Sequence, residues 1–262
     1  MADAPAWRGY GANPQHTAPA PAKGQTLKKV HWTTPVDLQP GGGTIFIHYA
    51  SPMITASNTI LLPVKTSASG DFRIEALNAK NGKKLWQSKT ELFIFAPHDW
   101  TPSFPAHLTA QNRLYFAGLG GTVYFRDTPD LKKGSNGQLA FYGLSNYQAN
   151  PQPYQQNVMI DTPITADEAG NVYFGFEVTG STPLNLQSGI ARIAANGTGT
   201  WVSAATAAGD GEITEVAQNC APAVSADQST IYIAVSDGAA GYLLGLDATT
   251  LAQISRCGSR TP

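Results

Sequence analysis

The chain has 262 residues, enough for one large all-β domain or two ordinary ones, and only 13% of them are charged against about 25% in soluble proteins. A net charge of −1 leaves no basic face for a nucleic-acid backbone, and no apolar run approaches the ~20 residues of a membrane-spanning helix. Two cysteines, Cys220 and Cys257, do not make a disulfide framework, so free thiols in the core are expected.

In chain order, "MADAPAWRG" carries no basic and apolar signal segment, yet Ala-Asp-Ala-Pro reads as the start of a mature exported chain. With the low charge and the abundance of Ser, Thr, Asn and Gln, this predicts an extracellular or periplasmic protein. "LKKVHWTTPV", with Trp32, reads as an extra outer strand within an entry segment over 1–40. Next comes "SPMITASNTILLPV" from Ser51, the first of four related segments. The others are "TPSFPAHLTAQNRLYFAG" from Thr101, "TPITADEAGNVYFGF" from Thr162 and "APAVSADQSTIYIAV" from Ala221. Each opens on a small residue and Pro, passes Thr-Ala or Ser-Ala, turns on polar residues and ends in an aromatic or β-branched strand. Their prolines, Pro52, Pro102, Pro163 and Pro222, are 50, 61 and 59 positions apart. Repeats of this kind, built from short strands, mark β-propeller blades.

The outer half of each blade follows its segment. In "RIEALNAKNGKKLWQS", apolar residues fall at every second position, Asn81-Gly82 supplies the positive φ of a tight hairpin, and Trp86 lies in the return strand. "IARIAANGTGTWVSA" and "YLLGLDATTLAQISR" repeat the pattern, with Trp201 in the place of Trp86, whereas the second copy has a longer polar loop and no Trp. The predicted fold is all-β: one propeller of four-stranded antiparallel blades over 44–91, 95–148, 157–206 and 215–257, with almost no helix. Four blades plus a spare strand near Trp32 make an incomplete ring. Its exposed ends would suit a homodimer that closes the circle.

"ALNAKNGKKLW" resembles the blade repeat of the pyrroloquinoline-quinone-like (PQQ-like) propellers, Ala-Leu-Asp-Ala-x-x-Gly-x-x-x-Trp, and "WRGYGANPQHTAPAPA" resembles their N-terminal entry. The resemblance covers most of Trp7 to Ser255 and implies the fold. It does not imply one activity, because that superfamily joins quinone-dependent dehydrogenases to propellers without a cofactor. The quinone enzymes hold their cofactor with cationic and polar side chains, an axial Ca²⁺ and often a disulfide between adjacent cysteines. This chain has no adjacent cysteines, so no quinone is expected; a bound metal is left open.

Gly-x-Ser-x-Gly, His-Glu-x-x-His and a phosphate loop are all missing. "GLGGT" from Gly118 reads as a turn, and the acidic residues of "DEAG" and "DQST" read as hairpin corners. What remains is positional. The residues just before the repeat prolines, His48, Tyr49, His98, Asp99, Trp100, Asp161 and Asn219, would gather on one axial face as a ligand-binding set. Imidazole and carboxylate together suit a metal (candidates His48, His98 and Asp161) or acid–base catalysis (candidates His98, Asp99 and Asp161). The plain alternative has His98 and Asp99 capping strand ends while Trp100 packs between blades. The function expected is an exported binding or scaffolding propeller that presents this face to a small molecule or a protein. A hydrolase or lyase at the axial funnel, with metal assistance, is the alternative.

Overall fold

Short strands rich in β-branched and aromatic residues, punctuated by Asn, Asp and Gly, have the pattern of half-buried hairpins. In the computed structural model they build four antiparallel sheets, one per repeat, and the molecule is 40% strand and 10% helix. The structure describes residues 7–18, 28–35, 50–65, 70, 72–94 and 104–258. Blade 1 holds β1 (Met53–Ile54), β2 (Thr59–Lys65), β3 (Phe72–Asn78) and β4 (Lys84–Lys89). Blade 2 holds β5 (Ala106–Leu108), β6 (Arg113–Ala117), β7 (Thr122–Asp127) and β8 (Asn136–Ala140). Two short helices, α1 (Leu144–Ala149) and α2 (Pro151–Asn157), lead to blade 3: β9 (Val158–Ile160), β10 (Thr165–Ala166), β11 (Val172–Val178), β12 (Gly189–Ile193) and β13 (Gly199–Ser203). After α3 (Ala204–Ala208), blade 4 holds β14 (Glu215–Val216), β15 (Ala223–Val224), β16 (Thr230–Ser236), β17 (Gly241–Asp247) and β18 (Gln253–Cys257). The four blades form an arc and not a closed ring, so the propeller is incomplete. No helix among the described residues is long and apolar enough to cross a membrane.

Pairing between the first two strands puts all blades in one frame. Met53 faces Leu61, His107 faces Tyr115, Thr165 faces Tyr173 and Ala223 faces Tyr232. In blades 1 to 3 this second-strand residue points at the next blade and is fully buried. One core joins blades 1, 2 and 3, with Phe104 beside Phe72 and Phe141 against Phe174 and Phe176. A second joins blades 3 and 4 through Tyr173, Ile190, Ile231 and Ile233. Tyr173 spans that seam, its hydroxyl donating within hydrogen-bond reach of Asp167 and of the Ala248 carbonyl, each 2.9 Å away.

The hairpin at Asn81-Gly82 joins β3 to β4. Gly82 has φ +67°, and a Cβ there would sit 2.5 Å from the Trp32 ring, so the turn needs glycine for conformation and for space. Trp32 donates its indole N–H to the Ala79 carbonyl, and residues 28–35 form no strand. Trp86 and Trp201 are not equivalent. Trp86 shares a face with Ala76 and Leu61, toward the following blade, whereas Trp201 shares one with Ala191 and Phe174, toward the preceding blade. Both therefore pack on blade 2 from opposite sides. A one-residue offset in a period-2 strand is enough to reverse the face. The cysteines also differ from expectation. Cys220 and Cys257 are free thiols, but both are exposed, not core residues.

Residues 7–18 fasten the inner strands together. Trp7 bridges Ile54 with two 2.8 Å backbone bonds, the Arg8 carbonyl accepts from Leu108, and the Pro14 carbonyl accepts from Val224. Arg8 ion-pairs with Glu168 at 2.7 Å. This one segment thus touches all four blades.

Candidate functional site

In blades 3 and 4 the innermost strand is split. β9 and β10 pair with opposite ends of β11, and β14 and β15 with opposite ends of β16. The interruptions contain Pro163 and Pro222, which cannot donate to a ladder, so the chain leaves the sheet for a few residues. Asp161 lies in the first interruption and Asn219 in the second, and the Asn219 N–H donates to the Asp161 carbonyl at 3.0 Å. These two predicted site residues are brought together. They lie where two inner strands meet, within the axial wall, and not on loops above it. The other candidates, His48, Tyr49, His98, Asp99 and Trp100, lie outside the described residues.

Asp161 is fully buried, and its Oδ1 has no hydrogen-bond partner among the described residues. Burial, then the neighbouring Glu177 carboxylate, and more weakly Glu215, push its carboxyl well above the usual range against the pull of its own backbone N–H. Glu177 is raised too, by burial and then by Glu215, and its buried Oε2 is likewise unpartnered. The thiol of Cys220, a residue exposed overall, is pushed up by partial burial of its sulfur and then by Asp161. Three acids and a thiol therefore share one seam, and each ionisation there opposes the next. Glu177, Glu215 and Cys220 were not singled out from sequence, although a glutamate ending the apolar run Val-Tyr-Phe-Gly-Phe was a visible signal.

The arrangement favours a ligand that brings a positive charge or a hydrogen-bond donor. The charged side chains that bear on the Asp161 carboxyl, Glu177 and Glu215, are both acidic. Among the described residues no three His, Cys, Asp or Glu side chains converge at metal-binding distance.

Two further places were missed from sequence. His107 occupies the inner-strand position that holds Met53, Thr165 and Ala223 in the other blades. It is fully buried with neither ring nitrogen bonded among the described residues, and burial, Arg8 and His16 lower it to about 3. A cleft of about 230 Å³ between blades 2 and 3 is lined by Gln111, Arg113, Tyr115, Asp127 and Gly170. Its cation is already engaged, since Arg113 grips both Asp127 oxygens at 2.6 and 3.2 Å and lies over the Phe125 ring. That cleft is smaller than the roughly 300 Å³ at which ligand pockets begin.

The blades and their repeat define an incomplete antiparallel β-propeller, a fold consistent with that of the PQQ-like propellers. The chain is similar to a quinohemoprotein alcohol dehydrogenase from Pseudomonas putida HK5 at 12% identity and TM-score 0.59, over 97% of this chain and 40% of that one. A europium-containing methanol dehydrogenase matches at 8% identity and TM-score 0.55, over 96% and 48%. A quinohemoprotein alcohol dehydrogenase from Comamonas testosteroni matches at 11% identity and TM-score 0.51, over 98% and 41%. The chain spans less than half the length of these proteins, and at such identity the likeness is one of fold. No family model and no curated protein matches the sequence.

Proposed function

We propose that the protein is an exported, quinone-independent binding propeller whose axial seam at Asp161 receives a cationic or hydrogen-bond-donating group of a small molecule or protein partner. The observation that carries this reading is the buried, unpartnered Oδ1 of Asp161 beside Glu177 and Glu215. An orphaned buried acceptor costs about 1–3 kcal/mol, and a donor from a ligand recovers that cost. Export rests on the low charge of the chain. Isothermal titration with spermidine as the probe tests the seam. Binding should be at least threefold tighter at pH 8 than at pH 5.5, because the raised carboxyl must ionise, and Asp161→Asn should weaken it at least tenfold. The same variant should unfold at higher temperature at pH 8, since the amide removes a buried acid that costs stability as pH rises. Spermidine binding that ignores both pH and the substitution would refute the reading. Ester or glycoside turnover lost in Asp161→Asn would assign catalysis instead.

A further inference from the structure

The net charge of −1 conceals a division of the chain. Residues 1–133 hold 14 lysines and arginines against 8 acids, a net +6, whereas residues 134–262 hold 3 against 10, a net −7. All ten lysines precede Gly134. The fold carries this division onto one side of the molecule, where the turns joining first to second and third to fourth strands leave the blades. Hydrogen bonds tie these turns blade to blade. Asp130 accepts from Thr55 and Asn112, the Glu168 carbonyl accepts from Gln111, and the Glu168 N–H donates to Gln228. In blades 3 and 4 the turns contain no lysine or arginine and hold Asp167, Glu168 and Asp227. In blades 1 and 2 they hold Lys80, Lys83, Lys132 and Lys133.

Local bonds fix the lysine-bearing segments as one corner. Trp32 donates to the Ala79 carbonyl at 2.9 Å, which sets residues 28–35, with Lys28 and Lys29, against the turn of Lys80 and Lys83. Trp86, in the strand after that turn, donates to the Pro129 carbonyl at 2.8 Å. Arg126 then holds the next residues, donating to the Leu131 and Lys132 carbonyls at 2.8 and 3.0 Å. All six lysines are exposed, and none makes an ion pair with a described residue. The acids beside them are occupied, Asp127 by Arg113 and Asp130 by Thr55 and Asn112. Two of the lysine pairs adjoin an aliphatic side chain in water. Lys28-Lys29 precedes Val30, 76% exposed, and Lys132-Lys133 follows Leu131, 57% exposed.

A soluble polyanion would neutralise the lysines but leave Val30 and Leu131 in water. An anionic bilayer accepts both, with the ammonium groups among lipid phosphates and the aliphatic tips at the acyl boundary. The same surface repels the acidic turns of blades 3 and 4, so the molecule approaches it tilted, lysine corner first. We propose that the corner of blades 1 and 2 around Lys83 and Leu131 is a peripheral docking site for an anionic lipid surface. This inference stands apart from the ligand reading at Asp161.

Co-sedimentation of the full chain with vesicles tests it. Vesicles of phosphatidylcholine with about 30% phosphatidylglycerol should bind the protein, and pure phosphatidylcholine vesicles should not. Raising salt from about 0.05 to about 0.5 M should weaken binding about tenfold, because exposed charges are screened. Lys132→Glu with Lys133→Glu should weaken it about tenfold or more, and Lys80→Glu with Lys83→Glu should do the same. Leu131→Ser keeps every charge and should still weaken binding about threefold, a loss that attraction between charges alone does not produce. Circular dichroism and melting should match the wild type, and because the two lysine pairs sit on different blades, a fold defect in one leaves the other as the test. Failure to bind phosphatidylglycerol vesicles would overturn the proposal, as would binding indifferent to both lysine pairs. Binding of dextran sulfate without binding of vesicles would also overturn it, assigning the corner to a soluble polyanion.

Discussion

His107 shows how one side chain sets a pH limit. Folded, it takes no proton until about pH 3, whereas a free imidazole protonates near 6.5. Burial is the main cause, and the cations of Arg8 and His16 add to it; the Ile164 backbone lies nearby and opposes the shift without a bond of good geometry. Glu168 does not relieve it, because that carboxylate is paired with Arg8. Between pH 6.5 and 3 the unfolded chain binds the extra proton, so stability is full above 6.5 and drains as pH falls. His107→Met, which restores the residue blade 1 has at this place, should raise stability at pH 4.5 by about 2 kcal/mol and by less at pH 8. Urea midpoints at the two pH values check this; an equal gain at both would mean that the ring does not titrate. The burial of this histidine was legible in "PAHLTA" only by aligning the repeats strand by strand, since the triplet Ala-His-Leu carries no periodicity of its own.

At the scale of elements, the β3–β4 hairpin was readable because alternation, Asn-Gly and the following Trp all specify it locally. The direction of each Trp was not, because one residue of register reverses it. Trp86 is buried, donates to the Pro129 carbonyl at 2.8 Å and carries the Arg126 guanidinium 4.1 Å above its ring. Trp201 is only half-buried and meets Phe176 edge to face. Trp86→Phe should therefore cost about 1–3 kcal/mol, from the orphaned carbonyl and the weaker cation–π contact. Trp201→Phe should cost less than about 1 kcal/mol. Denaturant unfolding of the two variants decides; equal losses would contradict the opposite-facing register. The split inner strands of blades 3 and 4 belong to this scale too. Their prolines were visible in sequence, but that Asp161 and Asn219 would touch through a backbone bond was not.

For the whole molecule, residues 7–18 act as a clasp across the arc. They supply backbone bonds to blades 1, 2 and 4 and an ion pair to blade 3. At about 1 kcal/mol for each backbone hydrogen bond, their removal costs several kcal/mol. Deleting residues 1–18 should lower the melting temperature by at least about 5 °C, given the 2–4 °C per kcal/mol typical of chains this size. Calorimetry checks it, and an unchanged transition would show that the blades hold each other without the segment. The exposure of Tyr232 in blade 4 is likewise a property of the whole, because it differs from the buried Tyr173 in surroundings and not in residue type.

What the amino-acid sequence determined by itself was the blade: strand alternation, turn chemistry and the repeat are all short-range, written within about sixty residues each. It also put Asp161 and Asn219 just before their repeat prolines, the same local place in each blade. Only the tertiary structure decided which faces are covered, where the acids converge and what lies beneath the entry segment. Those depend on contacts between residues far apart in the chain: Arg8 with Glu168, Asp161 with Asn219, Tyr173 with Ala248. No local pattern encodes which distant surface arrives to exclude water from a side chain; that exclusion shifts Asp161 up and His107 down, and its lack leaves Leu243 exposed.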